Sequence, residues 1–229
     1  MPLTIHHLQV SQSERLLFLC EELSLPYTLH LYPRSPLLAP PEYKQLHPTG
    51  AAPVLQDGPL TLAESAACLE YINEIYGNGK LAIRPGQKNY ADYLYWFHFA
   101  NGSLQPAISR QMSLTLFGGA SPDNPIIKNF ATRFQQTLQH MDTRVKETGA
   151  WLAGDKFTLA DVMCMFSVST MRKFYSVDLQ GFEGLVGWMG RVAGREGYRR
   201  AMAKGDPELD LSEITAGKSP ELFGPLMRK

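Results

Sequence analysis

The sequence predicts an α/β domain with a mixed, four-stranded sheet, followed by an all-α domain. Up to residue 80, short apolar runs alternate with helical spacings in the order β-α-β-(α)-β-β-α. After "KLAIRPGQK", residues 80–88, the strand signals disappear and helical spacings fill the chain. Because a change of class in mid-chain marks a domain boundary, we place the domains at 1–83 and 88–229.

The first elements follow from the spacing of apolar residues. Residues 3–8 form a short strand, and from Ser13 apolar side chains fall at i, i+3, i+4 and i+7, which is one face of a helix. Residues 27–32 are the second strand, so the chain opens β-α-β, which favours a parallel pair. One helical turn is predicted at 41–46.

A hairpin and a series of helices complete the prediction. Asp57-Gly58 joins two short strands, 53–56 and 60–63, and the helix after them ends at "GNG", residues 77–79. The later helices are predicted at 88–118, 123–148, 158–175 and 183–204, and the tail after Gly205 is predicted to be irregular. In "FTLADV", Thr158 and Asp161 have the spacing of a capping box.

Composition excludes several classes of function. The formal net charge is zero, which provides no basic surface for nucleic acid or an anionic membrane. No apolar stretch approaches the roughly 20 residues of a membrane span, and the start lacks the pattern of a secretion signal. Three scattered cysteines indicate reduced thiols in a cytoplasmic protein, with no disulfide framework and no metal site.

Three short stretches contain candidate site residues. Pro53 heads a strand, where a trans turn proline is ordinary; a cis Ala52–Pro53 bond would instead present the backbone N–H and C=O of Ala52 to another peptide. Glu64 and Ser65 precede a helix. Ser65 could simply cap it, or could bind a carboxylate while Glu64 holds an ammonium group.

The third stretch is "HHLQVSQSER", which joins the first strand to the first helix. Ser11 or Ser13 could be a plain helix cap, or could donate a hydrogen bond to a thiolate and so lower the pKa of a thiol. The spacing supports no Ser-His-Asp order. His6 and His7 alternate along a strand, so at most one of them faces a given site.

Together these pieces resemble the glutathione transferases over nearly the whole chain. "SQSERLLFLCEELSLPY" looks like the serine-type catalytic loop and first helix, and "APPEYKQLHPTGAAPVLQDGPLTLAESAACLEYI" is similar to the glutathione-binding block. "WFHFANGSLQP", "FTLADV" and "GLVGWMGRVAGREGYRRAM" resemble helices of the α domain in fungal and bacterial members. The resemblance implies a thioredoxin-like first domain, a glutathione transferase helical domain, glutathione as cosubstrate and a homodimer.

The resemblance also implies roles for particular residues. Ser11, with Ser13 as second choice, matches the hydroxyl that contacts sulfur, and Pro53 matches a cis proline. Glutathione would bind to Ala52 and Pro53 along the strand edge and to Glu64 and Ser65, with Lys44 and His47 as candidates for its glycine carboxylate. A small hydrophobic electrophile would lie between the domains, in a pocket lined by Gln9, Val10, Trp96, Phe99, Ser103, Met112, Phe117 and Phe166.

The activity expected from the resemblance is conjugation of the glutathione thiolate to apolar electrophiles. Three alternatives remain open at this point. Bound glutathione could reduce peroxides or isomerise double bonds, or could be added to an intermediate in natural-product synthesis. The fold could also serve as a binding or assembly module with no catalysis.

Overall fold

A computed structural model describes residues 3–116, 121 and 123–224. The N-terminal elements are β1 (Leu3–Leu8), α1 (Glu14–Glu22), β2 (Tyr27–Tyr32), α2 (Pro41–Lys44), β3 (Val54–Asp57), β4 (Leu60–Ala63) and α3 (Ser65–Ile75). The helices that follow are α4 (Tyr90–Phe99), α5 (Gln105–Leu116), α6 (Pro125–Thr148), α7 (Leu159–Val168), α8 (Glu183–Ala193), α9 (Glu196–Gly205) and α10 (Leu211–Ile214). This change from sheet to helices confirms the predicted α/β plus all-α class; the domain limits themselves stay a prediction.

The four strands form one mixed sheet in the order β2-β1-β3-β4. β1 is parallel to β2, with Leu3 opposite Tyr27, and antiparallel to β3, with His6 opposite Val54. The predicted limits of β1, β2 and β4 are confirmed, whereas β3 begins and ends one residue later than predicted, at Val54 and Asp57. The turn between β3 and β4 is therefore at residues 58–59 and not at Asp57-Gly58. Pro53 has no N–H for a ladder hydrogen bond, which explains the later start.

Helices α1 and α3 pack together, and their apolar faces are buried in the main core. The i, i+3, i+4 spacing of α1 is confirmed at Leu16, Leu19 and Cys20, which are fully buried. α3 contributes Leu69 and Ile72 to the same core. The end of β1 and the start of α1 are thereby fixed relative to α3, which is the arrangement that positions the candidate site.

The helical domain is built around α7, whose ten residues are all buried. The predicted capping box is present: Thr158 accepts a hydrogen bond from the Ala160 N–H at 3.3 Å, and Asp161 accepts from the Thr158 N–H at 2.9 Å. Asp161 also accepts from the Leu152 N–H and from the indole N–H of Trp188. One buried carboxylate therefore joins three segments of the domain.

Four predicted helical stretches require correction. The helix predicted over 158–175 ends at Val168 and is followed by a separate 3-10 turn, Thr170–Lys173. The helix predicted over 88–118 contains a π-helical turn, Ala100–Leu104, between α4 and α5. The stretch 183–204 is two helices, because α8 ends at Ala193 with Gly194 as its C-cap, and α9 begins at Glu196. The tail after Gly205 is not wholly irregular, since Asp210 accepts from the Ser212 N–H and starts the one-turn helix α10.

Charged contacts join α1 of the first domain to α9 of the second. Arg200 donates to the Glu21 carboxylate at 3.0 Å and to the Glu21 carbonyl at 2.7 Å. Lys204 also pairs with Glu21, and Arg195 pairs with Glu22. Among the described residues, no helix has the length and apolar composition needed to span a membrane.

Candidate active site

The loop between β1 and α1 places two serine hydroxyl groups in different surroundings. Ser11 is 4% exposed and lies in the wall of a cavity, whereas Ser13 is fully buried behind it. Their Oγ atoms are 2.7 Å apart. Ser13 Oγ also accepts from the Leu8 N–H at 3.1 Å, and neither side chain caps α1. Of the two, Ser11 is therefore the hydroxyl at the cavity, and Ser13 supports it.

Behind Ser13 lies a Ser-His-Asp arrangement that the sequence spacing did not support. Ser13 Oγ is 2.9 Å from His7 Nδ1, and His7 Nε2 is 3.0 Å from Asp206 Oδ2. All these side chains are buried. Asp206 lies at the end of α9, some 200 residues from His7 in sequence, so only the packing of α9 against α1 brings the groups together. His6 faces away from this group and contacts Tyr32 and Gln56.

The cavity at Ser11 has a volume of about 380 Å³ and a largely apolar wall. It contains four of the predicted site residues: Ser11, Ala52, Met112 and Phe166. The other residues of its wall are Leu8, Gln12, Arg34, Leu37, Leu38, Ala51, Gln105, Met171 and Phe174. Both domains contribute to this wall. The Ser11 hydroxyl and the Ala52 backbone therefore line the same cavity as the apolar side chains of Met112 and Phe166.

Ala52 lies at this cavity, and its peptide bond to Pro53 is cis. The sequence left cis and trans open, and the resemblance implied cis. The predicted free backbone pair needs a correction, because the Gln12 side-chain amide donates to the Ala52 carbonyl at 2.7 Å. Gln12 thus occupies the position that the N–H of a docked peptide would take.

Glu64 and Ser65 lie at the start of α3. The Ser65 hydroxyl does not cap the helix; it accepts from the Arg15 guanidinium at 2.9 Å and from the Asn101 amide at 3.1 Å. Glu64 is exposed and has a φ of 70°, a left-handed conformation that non-glycine residues seldom adopt. Glu64 is the N-cap residue of α3, so its exposed carboxylate belongs to a helix N-terminus, which is a position that favours negative charge.

Arg15, which was not among the predicted site residues, is a fully buried cation in this site. Its guanidinium donates to four neutral side chains at 2.8–3.2 Å: Gln12, Ser65, Asn101 and Gln105. Burial lowers its pKa to about 10, so it is still charged at neutral pH. Among the described residues it forms no ion pair with a carboxylate. A buried positive charge with only neutral partners favours an anionic ligand nearby.

Two predicted aromatic residues of the pocket lie elsewhere. Trp96 and Phe99 do not line the cavity but pack in the core, where the Trp96 ring stacks on His140 at 4.9 Å. The Cys164 thiol donates to the Trp96 carbonyl, which places this face of α4 against α7. Aromatic residues at helical spacing are commonly core, and the spacing alone could not distinguish core from cavity.

Gln9 and Val10 lie on the far side of Ser11 from the cavity. They line a second space, of about 590 Å³, together with His7 and Asp206. Two features turn Gln9 and Val10 away from the Ser11 cavity. The backbone turns sharply at Val10, whose φ is 49°, and the Arg34 guanidinium donates to the Gln9 and Val10 carbonyls. The turn therefore places Ser11 at the 380 Å³ cavity and Gln9 and Val10 at the 590 Å³ space.

The remaining predicted residues are at the periphery. Lys44 is exposed on α2 and lies beside Gly50, and His47 bonds to Thr49, so neither lines the cavity. Ser103 is exposed on the π-helical turn, and Phe117 lies outside the described residues. The described cysteines are all free and buried, with burial raising the pKa of Cys20 and Cys68 to about 12. No group of metal-ligating side chains is found among the residues that the structure describes.

Comparisons with known proteins agree with this fold. The family model described as the N-terminal domain of glutathione S-transferase matches residues 11–75, and that for the C-terminal domain matches residues 104–196. These two matches together extend over more than half of the sequence, from the Ser11 loop to the start of α9. The chain belongs to the glutathione S-transferase family, with its thioredoxin-like first domain and helical second domain.

Individual relatives extend the comparison over most of the chain. "Glutathione S-transferase 3" of Schizosaccharomyces pombe is 29% identical over 216 residues, which is 88% of this chain and 87% of that protein. "Disulfide-bond oxidoreductase YfcG" of Escherichia coli is 27% identical over 174 residues, 72% of this chain and 77% of that protein. A crystal structure of a glutathione S-transferase from Actinobacillus pleuropneumoniae superposes with a TM-score of 0.82 at 27% identity, covering 92% of this chain and 95% of that one.

Proposed function

We propose that the protein conjugates the thiol of glutathione to small, apolar electrophiles, and that Ser11 activates the thiol. One observation carries the proposal: a single cavity joins the Ser11 hydroxyl and the Ala52 backbone to the apolar side chains of Met112 and Phe166. A thiolate held at Ser11 would face an electrophile in the same space. Proximity and nucleophile activation are the two gains that such an arrangement supplies.

The tripeptide would lie between Ala52 and the start of α3. Its γ-glutamyl carboxylate would bind at Ser65, where the helix N-terminus and the buried Arg15 charge favour an anion, and exposed Glu64 would pair with its ammonium group. The backbone of its cysteine would pair with Ala52 after Gln12 leaves the carbonyl. Lys44 and His47 remain our candidates for the glycine carboxylate.

Ser11 would donate its hydroxyl proton to the sulfur, which stabilises the thiolate relative to the thiol. In Ser11→Ala we expect the pKa of the bound thiol to rise by about one to two units, since each unit corresponds to about 1.4 kcal/mol of preferential binding to the anion. The pKa is measured from the ultraviolet absorbance of the bound thiolate as pH is varied. Conjugation of an activated aryl halide should fall in parallel at neutral pH.

The matched control is Ser113→Ala, which removes an exposed hydroxyl on α5. It should leave both the bound thiol pKa and the rate unchanged. Calorimetry must show that Ser11→Ala still binds glutathione. A bound-thiol pKa that does not move in Ser11→Ala would remove Ser11 from the activating role.

The name of the E. coli relative supports a second candidate, disulfide reduction by bound glutathione. In that reaction the glutathione thiolate attacks one sulfur of a disulfide, a mixed disulfide forms and the other sulfur leaves as a thiolate. The described cysteines are buried, so the nucleophile would be glutathione itself. Mass spectrometry after incubation with an aryl halide, a disulfide or a peroxide separates conjugation from oxidation of glutathione. Retention on immobilised glutathione without any turnover would instead indicate a binding module.

A further inference from the structure

The side chains behind Ser11 form one continuous hydrogen-bonded chain. From the cavity inwards, the successive atoms are Ser11 Oγ, Ser13 Oγ, His7 Nδ1 and Nε2, and Asp206 Oδ2, with separations of 2.7, 2.9 and 3.0 Å. Every member is buried and Ser11 alone lies at the cavity. The proposed function uses only the Ser11 hydroxyl and leaves the other three groups without a role.

The hydrogen bonds fix the direction of the protons in this chain when the ring is neutral. Asp206 accepts through Oδ1 from the Val10 N–H at 2.8 Å, and its Oδ2 accepts from His7 Nε2. With its proton on Nε2, the neutral ring accepts at Nδ1, so Ser13 donates to His7. Ser11 must then donate to Ser13, and its proton points away from the cavity.

A thiolate at Ser11 requires the opposite direction, because the Ser11 proton must then point to the sulfur. With the Ser11 proton on the sulfur side, the Ser11–Ser13 and Ser13–His7 hydrogen bonds are both kept only if one proton enters the chain from the cavity and the last one arrives at His7. We propose that His7 takes up the thiol proton of bound glutathione through Ser11 and Ser13, while Asp206 stabilises the imidazolium. This inference rests on the proposed function and assigns His7 and Asp206 as positioning residues that act through the serines.

The proton transfer balances without any further reactant. The S–H bond breaks and its proton passes to Ser11 Oγ, the Ser11 proton passes to Ser13, and the Ser13 proton passes to His7 Nδ1. The products are a thiolate that accepts a hydrogen bond from Ser11 and an imidazolium paired with the Asp206 carboxylate. No atom changes its oxidation state, and the protein gains the proton that the thiol loses.

The backbone around the relay supports a role beyond packing. Val10, a β-branched residue, is held at a φ of 49° between Asp206, which accepts from its N–H, and Arg34, which donates to its carbonyl. Such conformations are unfavourable for a β-branched residue and persist where the surroundings enforce them. The end of α9 approaches the ring so closely that a Cβ at Gly205 would lie 3.1 Å from His7 Nε2. Asp206 thus fixes both the ring and the turn that presents Ser11.

Other charged groups also act on the relay and belong to its pH dependence. Glu14 of α1 and Arg34 after β2 interact electrostatically with Asp206, with opposite signs. Lys173, Glu208 and Glu221 line the space on the other side of His7. A pH profile of thiolate formation would contain the titration of all these groups together. The experiment therefore counts the protons released at a single pH.

The experiment compares the number of thiolates formed with the number of protons released when glutathione binds. Thiolate is followed by ultraviolet absorbance and protons by a pH indicator in weak buffer at neutral pH. We expect the wild-type protein to form thiolate with much less than one proton released per thiolate, because His7 retains the proton. If every thiolate is matched by a released proton, the relay is not the acceptor.

Asp206→Asn is the informative variant because it keeps an oxygen for the Val10 N–H but places an amide donor at His7 Nε2. The neutral ring must then carry its proton on Nδ1 and cannot accept another from Ser13. We expect about ten-fold less thiolate at neutral pH, which corresponds to a pKa about one unit higher, and a released proton for each thiolate that remains. Ser13→Ala, which interrupts the chain between Ser11 and His7, should give the same ratio.

His6→Asn is the matched control, since His6 lies on the same strand and faces Tyr32 and Gln56. It should keep the wild-type proton count. An unchanged ratio in folded Asp206→Asn and Ser13→Ala would overturn the relay while leaving Ser11 activation intact. A wild-type protein that forms no thiolate at all would overturn the proposed function together with the relay. If one variant does not fold, the proton count of the wild-type protein and that of the other variant still test whether His7 takes up the proton.

Discussion

At the scale of single residues, the adjacent side chains of Glu14 and Arg15 on α1 are both buried, but only Arg15 keeps its charge at neutral pH. Burial raises the pKa of Glu14 from an ordinary 4.5 to about 8, with the Asp206 carboxylate adding to the rise. Burial lowers the pKa of Arg15 to about 10. At neutral pH Glu14 is therefore mostly protonated while Arg15 is charged. The neighbouring acid does not cancel the Arg15 charge, and the site keeps a net positive potential for the proposed anionic ligand.

This difference predicts how stability depends on pH. A carboxyl group whose pKa is higher in the folded state binds more protons there than in the unfolded state, so its contribution is complete below pH 4.5 and is lost as pH rises to about 8. We expect Glu14→Gln to remove that part of the pH dependence, an effect of a few kcal/mol. Urea unfolding across this window measures it.

Glu42→Gln, which alters an exposed glutamate on α2, is the control and should follow the wild-type curve. If the stability difference between wild type and Glu14→Gln does not change across the window, Glu14 ionises as an ordinary exposed carboxyl group does.

At the scale of elements, the capping box of α7 does more than begin a helix. Asp161 accepts hydrogen bonds from the Thr158 N–H, the Leu152 N–H and the Trp188 indole at 2.9–3.0 Å, so it joins α7, the segment before it and α8. We expect Asp161→Ala to lower the free energy of unfolding by about 3–4 kcal/mol, because three buried donors lose a charged acceptor. Thermal and denaturant unfolding measure the loss.

Asp210→Ala provides the comparison at an exposed cap. Asp210 accepts from the Ser212 N–H at the start of α10, and its removal should cost about 1 kcal/mol. Equal losses in the two variants would show that Asp161 acts as a simple cap.

At the scale of the whole molecule, large apolar side chains are exposed at the end of α3 and on α4. Ile75 and Tyr76 at the end of α3 are 61% and 39% exposed, and Tyr95 on α4 is 52% exposed. Contiguous exposed apolar surface marks association sites, whereas singly exposed apolar residues do not. We propose that a second copy of this chain covers them, which agrees with the homodimer that the family resemblance implies.

Ile75→Glu tests this surface. We expect sedimentation velocity to show a shift from dimer to monomer, because a charge would be buried in the contact without a partner. Ile126→Glu, at an equally exposed position on α6, should leave the dimer unchanged. A wild-type protein that sediments as a monomer would show that this surface forms no dimer contact. A dimer that persists in Ile75→Glu would show that the interface lies elsewhere.

Much of the fold was predictable because it depends on local physics. Period-two and period-3.6 spacings, a turn signal between two short strands and the Thr158–Asp161 spacing all act within a few residues, and the structure contains each of these elements, with the turn one residue later than predicted. Some corrections also have local causes, as at Pro53 before β3 and at the Asp210 cap of α10. For the candidate site, the sequence predicted Ser11, Ala52 and Ser65 from their places at element ends. The structure puts Ser11 and Ala52 at one cavity and Ser65 at the start of α3, and their roles stay predictions.

The sequence by itself determined the class of the fold, the order of its elements and the short segments in which polar groups lie beside a helix start or a strand edge. Only the tertiary structure decided which of these groups meet. Asp206 reaches His7, and Arg15 joins Ser65 to Asn101 and Gln105, because α9 and the π-helical turn pack against the first domain. Such contacts join residues far apart in the chain, and their partners are selected by the burial of whole helix faces, which local spacing does not encode.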